Sequence, residues 1–182
     1  MDYSQTHKDI VKACLANDRR AQFELYKLYS QAMYNICLRM VRDEKDAEDV
    51  LQQSFMDVYS KLNMFKFESS IGAWIKRIVI NNSINFLKKR KLQLTELNEQ
   101  HSAVPTLYEE DSCFDVNQIK TAVSKLPDGY RLVFNLYAFE GYDHKEIGEI
   151  MGITEATSKS QYSRAKKKLR NIIDTDVINH LS

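Results

Sequence analysis

Glycine and proline are scarce in this chain, five and two among 182 residues, where average usage would supply roughly twenty between them. Few positions can form tight hairpin turns, which argues against a sheet of short strands. The three cysteines, Cys14, Cys37 and Cys113, are odd in number, widely spaced and without a CxxC pair, so they fit neither a disulfide framework nor a zinc site and are expected to be buried structural residues. His7, His101, His144 and His180 follow no HExxH or similar spacing and are expected at surface or capping positions. No metal, no cofactor and no small-molecule substrate is expected. No apolar run approaches the roughly 18 residues that cross a bilayer. The opening MDYSQTHKDI has no apolar signal segment, so a cytoplasmic location is expected.

Hydrophobic residues make up 43% of the chain, enough for a folded core. The length suits one ordinary domain or two small ones. The formal net charge is +1, yet the charges are sorted. Residues 43–57 carry six acids against one base, 76–91 six bases and no acid, 95–115 six acids and no base, and 159–170 six bases and no acid. Two basic faces separated by acidic segments suggest two anionic contacts and at least one different kind of partner.

Phe23, Tyr26, Leu28, Tyr29, Met33 and Ile36 recur at helical spacing. A second stripe, Ala47, Val50, Leu51, Phe55, Val58, Tyr59 and Leu62, follows the 3.6 period behind a capping Asp43. A third helix begins near Ser70, with Ile71, Trp74, Ile75, Ile78, Val79 and Phe86 inward and Arg77, Asn81, Asn85 and Lys88 on the other face. Phe55 and Trp74 read as core. Between Leu92 and Asp115 the periodicity is lost, marking a linker. A second helical unit starts near Val116 and is punctuated by Pro127, Gly129 and Gly141 into four short helices. The fold class is therefore all-α, two small helical domains joined by a flexible acidic linker.

Residues 143–169 have the layout of a helix-turn-helix. Asp143 and Glu146 form a capping box. Gly148 inside the first helix implies close approach of the second, Gly152 closes the first helix and Thr154 caps the next. Ser158, Tyr162, Ala165 and Leu169 form the inward line, while Thr157, Ser160, Gln161, Arg164 and Lys168 project away. Short polar side chains near the start and cations further along suit base edges and phosphates respectively.

The strings FELYKLYSQAMYNICLRMVRDEKDAEDVLQQSF (23–55), FKFESSIGAWIKRIVINNSINFLKKRK (65–91), LPDGYRLVFNLYAFEGYDHKEIGEIMGI (126–153) and TSKSQYSRAKKKLR (157–170) resemble the extracytoplasmic function (ECF) class of sigma-70 family RNA polymerase sigma factors. The resemblance implies region 2 over residues 1–92, a linker over 93–115 and region 4 over 116–182. It implies a factor, not an enzyme, that binds core RNA polymerase and promoter DNA. Asp46, Glu48, Asp49, Gln52 and Gln53 would dock on the clamp helices of the largest subunit. The loop Lys66, Phe67, Glu68, Ser69 and Ser70 would take a base flipped from the −10 element, with Asn81 and Asn85 on that strand and Lys88, Lys89 and Arg90 on phosphates. Thr157, Ser158, Lys159, Ser160, Gln161, Arg164 and Lys167 would meet the −35 element. The flap of the second-largest subunit and a membrane-bound anti-sigma factor are further partners the resemblance allows. Ser158 stands where this class usually has valine, and Gln161 where arginine is common.

Two other readings share features with this one. A helix-turn-helix regulator that does not bind polymerase leaves the DAEDVLQQSF helix and the FESS loop unexplained. A magnesium nuclease built on the carboxylates between Asp43 and Asp49, of which Asp46 and Asp49 share one helix face, lacks a phosphate loop, a nucleophile elbow and a general-base histidine.

Overall fold

The computed structural model describes residues 3–97 and 116–180. His101, Cys113 and the linker segment 98–115 lie outside the described residues. The chain divides into two compact units, residues 1–102 and 103–182, and every regular element among the described residues is helical.

The first unit comprises α1 (Tyr3–Leu15), α2 (Arg19–Val41), α3 (Glu44–Lys61), a 3-10 turn (Leu62–Met64) and α4 (Ile71–Leu97). Helices α2, α3 and α4 each open on a side-chain cap. Asp18 accepts from the backbone N–H groups of Arg20 and Ala21 at the start of α2. Asp43 accepts from Asp46 N at 2.9 Å to open α3, and Ser70 Oγ accepts from Ala73 N at 3.2 Å to open α4. Such caps contribute about 1 kcal/mol each.

The core interleaves Leu25, Ile36, Cys37 and Met40 of α2 with Ala47, Val50, Phe55 and Val58 of α3 and Ile75, Val79, Ile80 and Ile84 of α4. Phe55 is buried, its ring edge-on to Tyr26 at 4.8 Å. Trp74, Ile78 and Phe86 are only half-buried, because the buried line of α4 runs instead through Ile71, Ile75, Val79, Ile80, Ser83 and Ile84. Three boundaries differ from the periodicity. The segment before Asn17 forms α1, which adds buried Val11 and Cys14 to the core. Helix α2 begins four residues before Phe23, at Arg19, and α4 continues to Leu97, into the expected linker.

The second unit comprises α5 (Val116–Ser124), α6 (Asp128–Phe134), a π turn (Asn135–Phe139), α7 (His144–Met151) and α8 (Glu155–His180). The last helix has 26 residues, not the short element expected. Ala122, Val123, Leu126, Ala165 and Leu169 form one apolar cluster, with Tyr130, Phe134, Ile172 and Ile173 packed on it. Arg131 is among the most buried residues at 1% exposure. Its Nη1 donates to Leu126 O at 3.4 Å and to Asp128 Oδ1 at 2.8 Å, so the charge is compensated where it enters the core. No helix among the described residues is long and apolar enough to cross a membrane.

Candidate nucleic-acid and polymerase interfaces

The described residues offer three candidate faces. On α3, Glu48, Asp49, Gln52 and Gln53 are exposed. Asp46 is half-buried and accepts from Arg90 Nη1 of α4 at 2.6 Å. Burial pushes the Asp46 carboxyl up, as do Asp43 and Asp49; Arg90 offsets only part of this. Asp46 and Arg90, expected on different partners, are thus held together, and Asp46 ties the helices as well as lining the face. The described residues contain no cluster of three or more His, Cys, Asp or Glu side chains able to hold a metal ion.

The second face is the loop 66–70 and the start of α4. Lys66, Phe67, Glu68, Ser69 and Ser70 are all exposed. Phe67 adopts φ +59°, a left-handed conformation that costs a bulky side chain energy. Its ring lies 4.8 Å from Phe65, which lies 5.5 Å from Trp74, so a half-exposed aromatic step leads from the loop into the core. Along α4, Asn81, Asn85, Lys88, Lys89 and Arg90 are exposed, so the loop and the polar face of α4 sit in the same unit.

The third face belongs to the helix-turn-helix. Both halves of the Asp143–Glu146 capping box form at 2.8 Å. Gly152 takes φ +71° at the end of α7, and Thr154 Oγ1 accepts from Thr157 N at 3.1 Å. Lys159, Ser160, Arg164 and Lys167 are exposed. Lys159 pairs with Glu155 at 2.6 Å. That bond holds the Glu155 carboxyl below its ordinary range and raises the Lys159 ammonium. The Thr157 hydroxyl shares the cap with Thr154 at 2.8 Å.

Two expected contacts are corrected. Ser158 is fully buried, its Oγ 2.9 Å from His144 Nδ1, so it joins the two helices and cannot reach a base. Gln161 does not project outward. Its carboxamide lies against Gly129 of α6, where a Cβ would stand 3.5 Å from Oε1, and that oxygen is buried. In its place, Arg164 and Lys167 line an open groove of about 600 Å³ with Lys125, Tyr130, Lys168 and Asn171. Lys125 and Tyr130 carry no signal in the sequence, since neither belongs to the helix that needs cations.

A family model for Sigma-70 region 2 matches residues 25–93, and one for Sigma-70 region 4 matches residues 117–169. The chain belongs to the sigma-70 family. Among its relatives are two ECF RNA polymerase sigma factors of Bacillus subtilis (strain 168), both 28% identical. SigM aligns over 160 residues, 85% of this chain and 96% of its own, and SigW over 176, 90% of this chain and 94% of its own. Two solved structures share the fold. The sigma factor RpoE, co-crystallised with the anti-sigma factor NepR from Bartonella quintana, has a TM-score of 0.63 at 21% identity, covering 84% of this chain and 96% of that one. CnrH, in complex with the cytosolic domain of CnrY, has a TM-score of 0.57 at 20% identity, covering 93% and 98%. The chain is thus a sigma factor of the ECF class, which binds core polymerase and directs promoter-specific initiation. The regulator that ignores polymerase is not favoured.

Proposed function

We propose that the sigma factor divides its contacts among the three faces. Residues 1–92 act as region 2, 93–115 as linker and 116–182 as region 4. Glu48, Asp49, Gln52 and Gln53, with Asp46 at their edge, meet the clamp helices of the polymerase largest subunit; an acidic surface suits a basic partner and repels DNA. Loop 66–70 receives a base of the opened −10 strand. A half-exposed Phe67 beside short polar residues supplies a stacking surface and hydrogen bonds to a base edge. Asn81 and Asn85 follow that strand, and Lys88, Lys89 and Arg90 neutralise phosphates. Thr157, Lys159 and Ser160 face the −35 major groove, with Arg164 and Lys167 on its backbone. The flap of the second-largest subunit and an anti-sigma protein are further partners, the latter as in the two solved complexes. The chain itself catalyses no reaction and acts in the cytoplasm.

The observation that carries this reading is the segregation within the first unit. Acids and amides are exposed on α3, whereas an exposed polar loop precedes α4 and a cationic row lies along it. Runoff transcription by core polymerase with the purified chain, over a promoter library, tests it. Promoter-specific transcripts are expected, together with loss of permanganate-reactive thymines at −10 in Asn81→Ala. Only the nonspecific activity of core polymerase at saturating protein would refute it.

A further inference from the structure

Between α3 and α4 lies a polar cluster of which only Gln53 belongs to one of the three faces. Asn82 Nδ2 donates to Asp57 Oδ2 at 3.1 Å and to Ser54 Oγ at 3.2 Å. Gln53 Nε2 donates to Asp57 Oδ1 at 3.1 Å, and Lys61 Nζ stands 3.5 Å from Oδ2. Ser54 is fully buried and donates to Val50 O at 2.6 Å, so its oxygen is fixed to receive Asn82. Burial raises the Asp57 carboxyl, but the hydrogen bonds from Asn82 and Gln53, with Lys61 alongside, hold it below its ordinary range.

The two ends of this cluster adjoin different faces. Gln53 belongs to the surface assigned to polymerase. Asn82 immediately follows Asn81, which is assigned to the −10 strand. Successive residues on a helix differ by about 100° in azimuth, so bonds from Asn82 to α3 fix the direction in which Asn81 and Asn85 point. We propose that Asp57 is a positioning residue that couples docking on core polymerase to capture of the −10 strand, by holding Gln53 with one carboxylate oxygen and Asn82 with the other. The coupling rests on the face assignments above. It needs no contact between Asp57 and either partner. A satisfied polar cluster of this kind also specifies one register between two helices, since any other register leaves a carboxylate or an amide without its partner.

The test uses the full-length factor with core polymerase and measures affinity for core, open-complex yield by permanganate reactivity, and thermal stability. Asn82→Ala is expected to lower open-complex yield about tenfold, the scale of one hydrogen bond to a charged group, and to leave core affinity at the wild-type value. Asp57→Ala is expected to lower opening to the same extent and core affinity a few-fold, because Gln53 is released as well. Asn82→Asp, which sets two carboxylates side by side, should be more harmful than Asn82→Ala. Combining it with Asp57→Asn restores an amide–carboxylate pair in the reverse sense and should bring opening back to within about threefold of wild type. The proposal is overturned if Asn82→Ala opens promoters normally, if the exchanged pair does no better than its single variants, or if every loss simply follows a lowered melting temperature. A wild-type protein that neither binds core nor opens a promoter would instead overturn the face assignments themselves.

Discussion

Replacing Gly148 by alanine sets two effects of known size against each other. A glycine inside a helix costs about 1 kcal/mol relative to alanine, so on propensity alone the substitution would stabilise α7. The structure opposes it. A Cβ at position 148 would stand 2.8 Å from Ile153 O, 3.5 Å from Glu155 N and 3.6 Å from Thr154 C. Ordinary carbon–oxygen approach is about 3.3 Å or more, so the turn must move by roughly 0.5 Å. It has little freedom to do so, because Gly148 O accepts from both Gly152 N at 2.9 Å and Ile153 N at 3.0 Å. Overpacking of this kind costs about 1–3 kcal/mol; less the roughly 1 kcal/mol gained in propensity, the net expectation is a loss of up to about 2 kcal/mol. The displaced residues include the start of α8, so affinity for −35 DNA per folded molecule should fall too. Gly141→Ala is the comparison. That residue has φ +77° with no atom within 4 Å of an added Cβ. It should destabilise by about 1 kcal/mol through backbone strain and leave −35 affinity unchanged. The sole tryptophan, Trp74, lies in the other unit, so amide exchange over α7 and α8 is the appropriate stability measure, with −35 binding read on the polymerase complex. A Gly148→Ala protein as stable as wild type, with equal −35 affinity, would refute the close-approach argument.

Lys167→Ala should weaken −35 binding equally for all sequences and reduce the salt dependence by about one contact, whereas Gln161→Ala, whose amide faces α6, should leave base preference unchanged; isotherms on single-substituted −35 sites at several salt concentrations decide this, and a base-specific effect of Gln161→Ala would overturn its inward placement. Cys37 is fully buried beside Ser83, and burial pushes its thiol up to about 11, while burial and then Asp18 and Glu24 raise the thiol of buried Cys14. Thiolate forms as pH rises through the folded value, so at pH 8 both should resist an aromatic disulfide reagent until the first unit unfolds; rapid modification of either in the folded protein would contradict that burial.

What the sequence disclosed was whatever repeats at helical spacing or depends on neighbours three or four residues away. The Asp43 cap, the Asp143–Glu146 box and the Gly148–Gly152 pair all act within one turn of their own backbone, and each stands where its spacing puts it. Phe55 was legible as core for the same reason. Ends without a stop signal were not. Helix α4 runs past Leu92 because Lys91, Leu92 and Gln93 include no glycine or proline, and lost amphipathicity does not by itself end a helix. Hidden most completely were polar residues whose partners are distant in the chain. Ser158 meets His144 across 14 residues, Asn82 meets Asp57 across 25, and Arg90 meets Asp46 across 44. A serine on an inward line, where the family usually has valine, reads locally as a flaw. It becomes intelligible only when an imidazole is found 2.9 Å away, because a buried hydroxyl costs free energy until it is hydrogen-bonded. The same logic governs the assignment of faces. Charge runs along the sequence predicted two basic surfaces, yet they treated every cation as available. Arg90 and Lys159 each lie within 2.6 Å of a carboxylate in the free chain. Contact with DNA or polymerase competes with an existing ion pair at those positions, so they should contribute less to net affinity than an arginine or lysine whose charge has only water to give up.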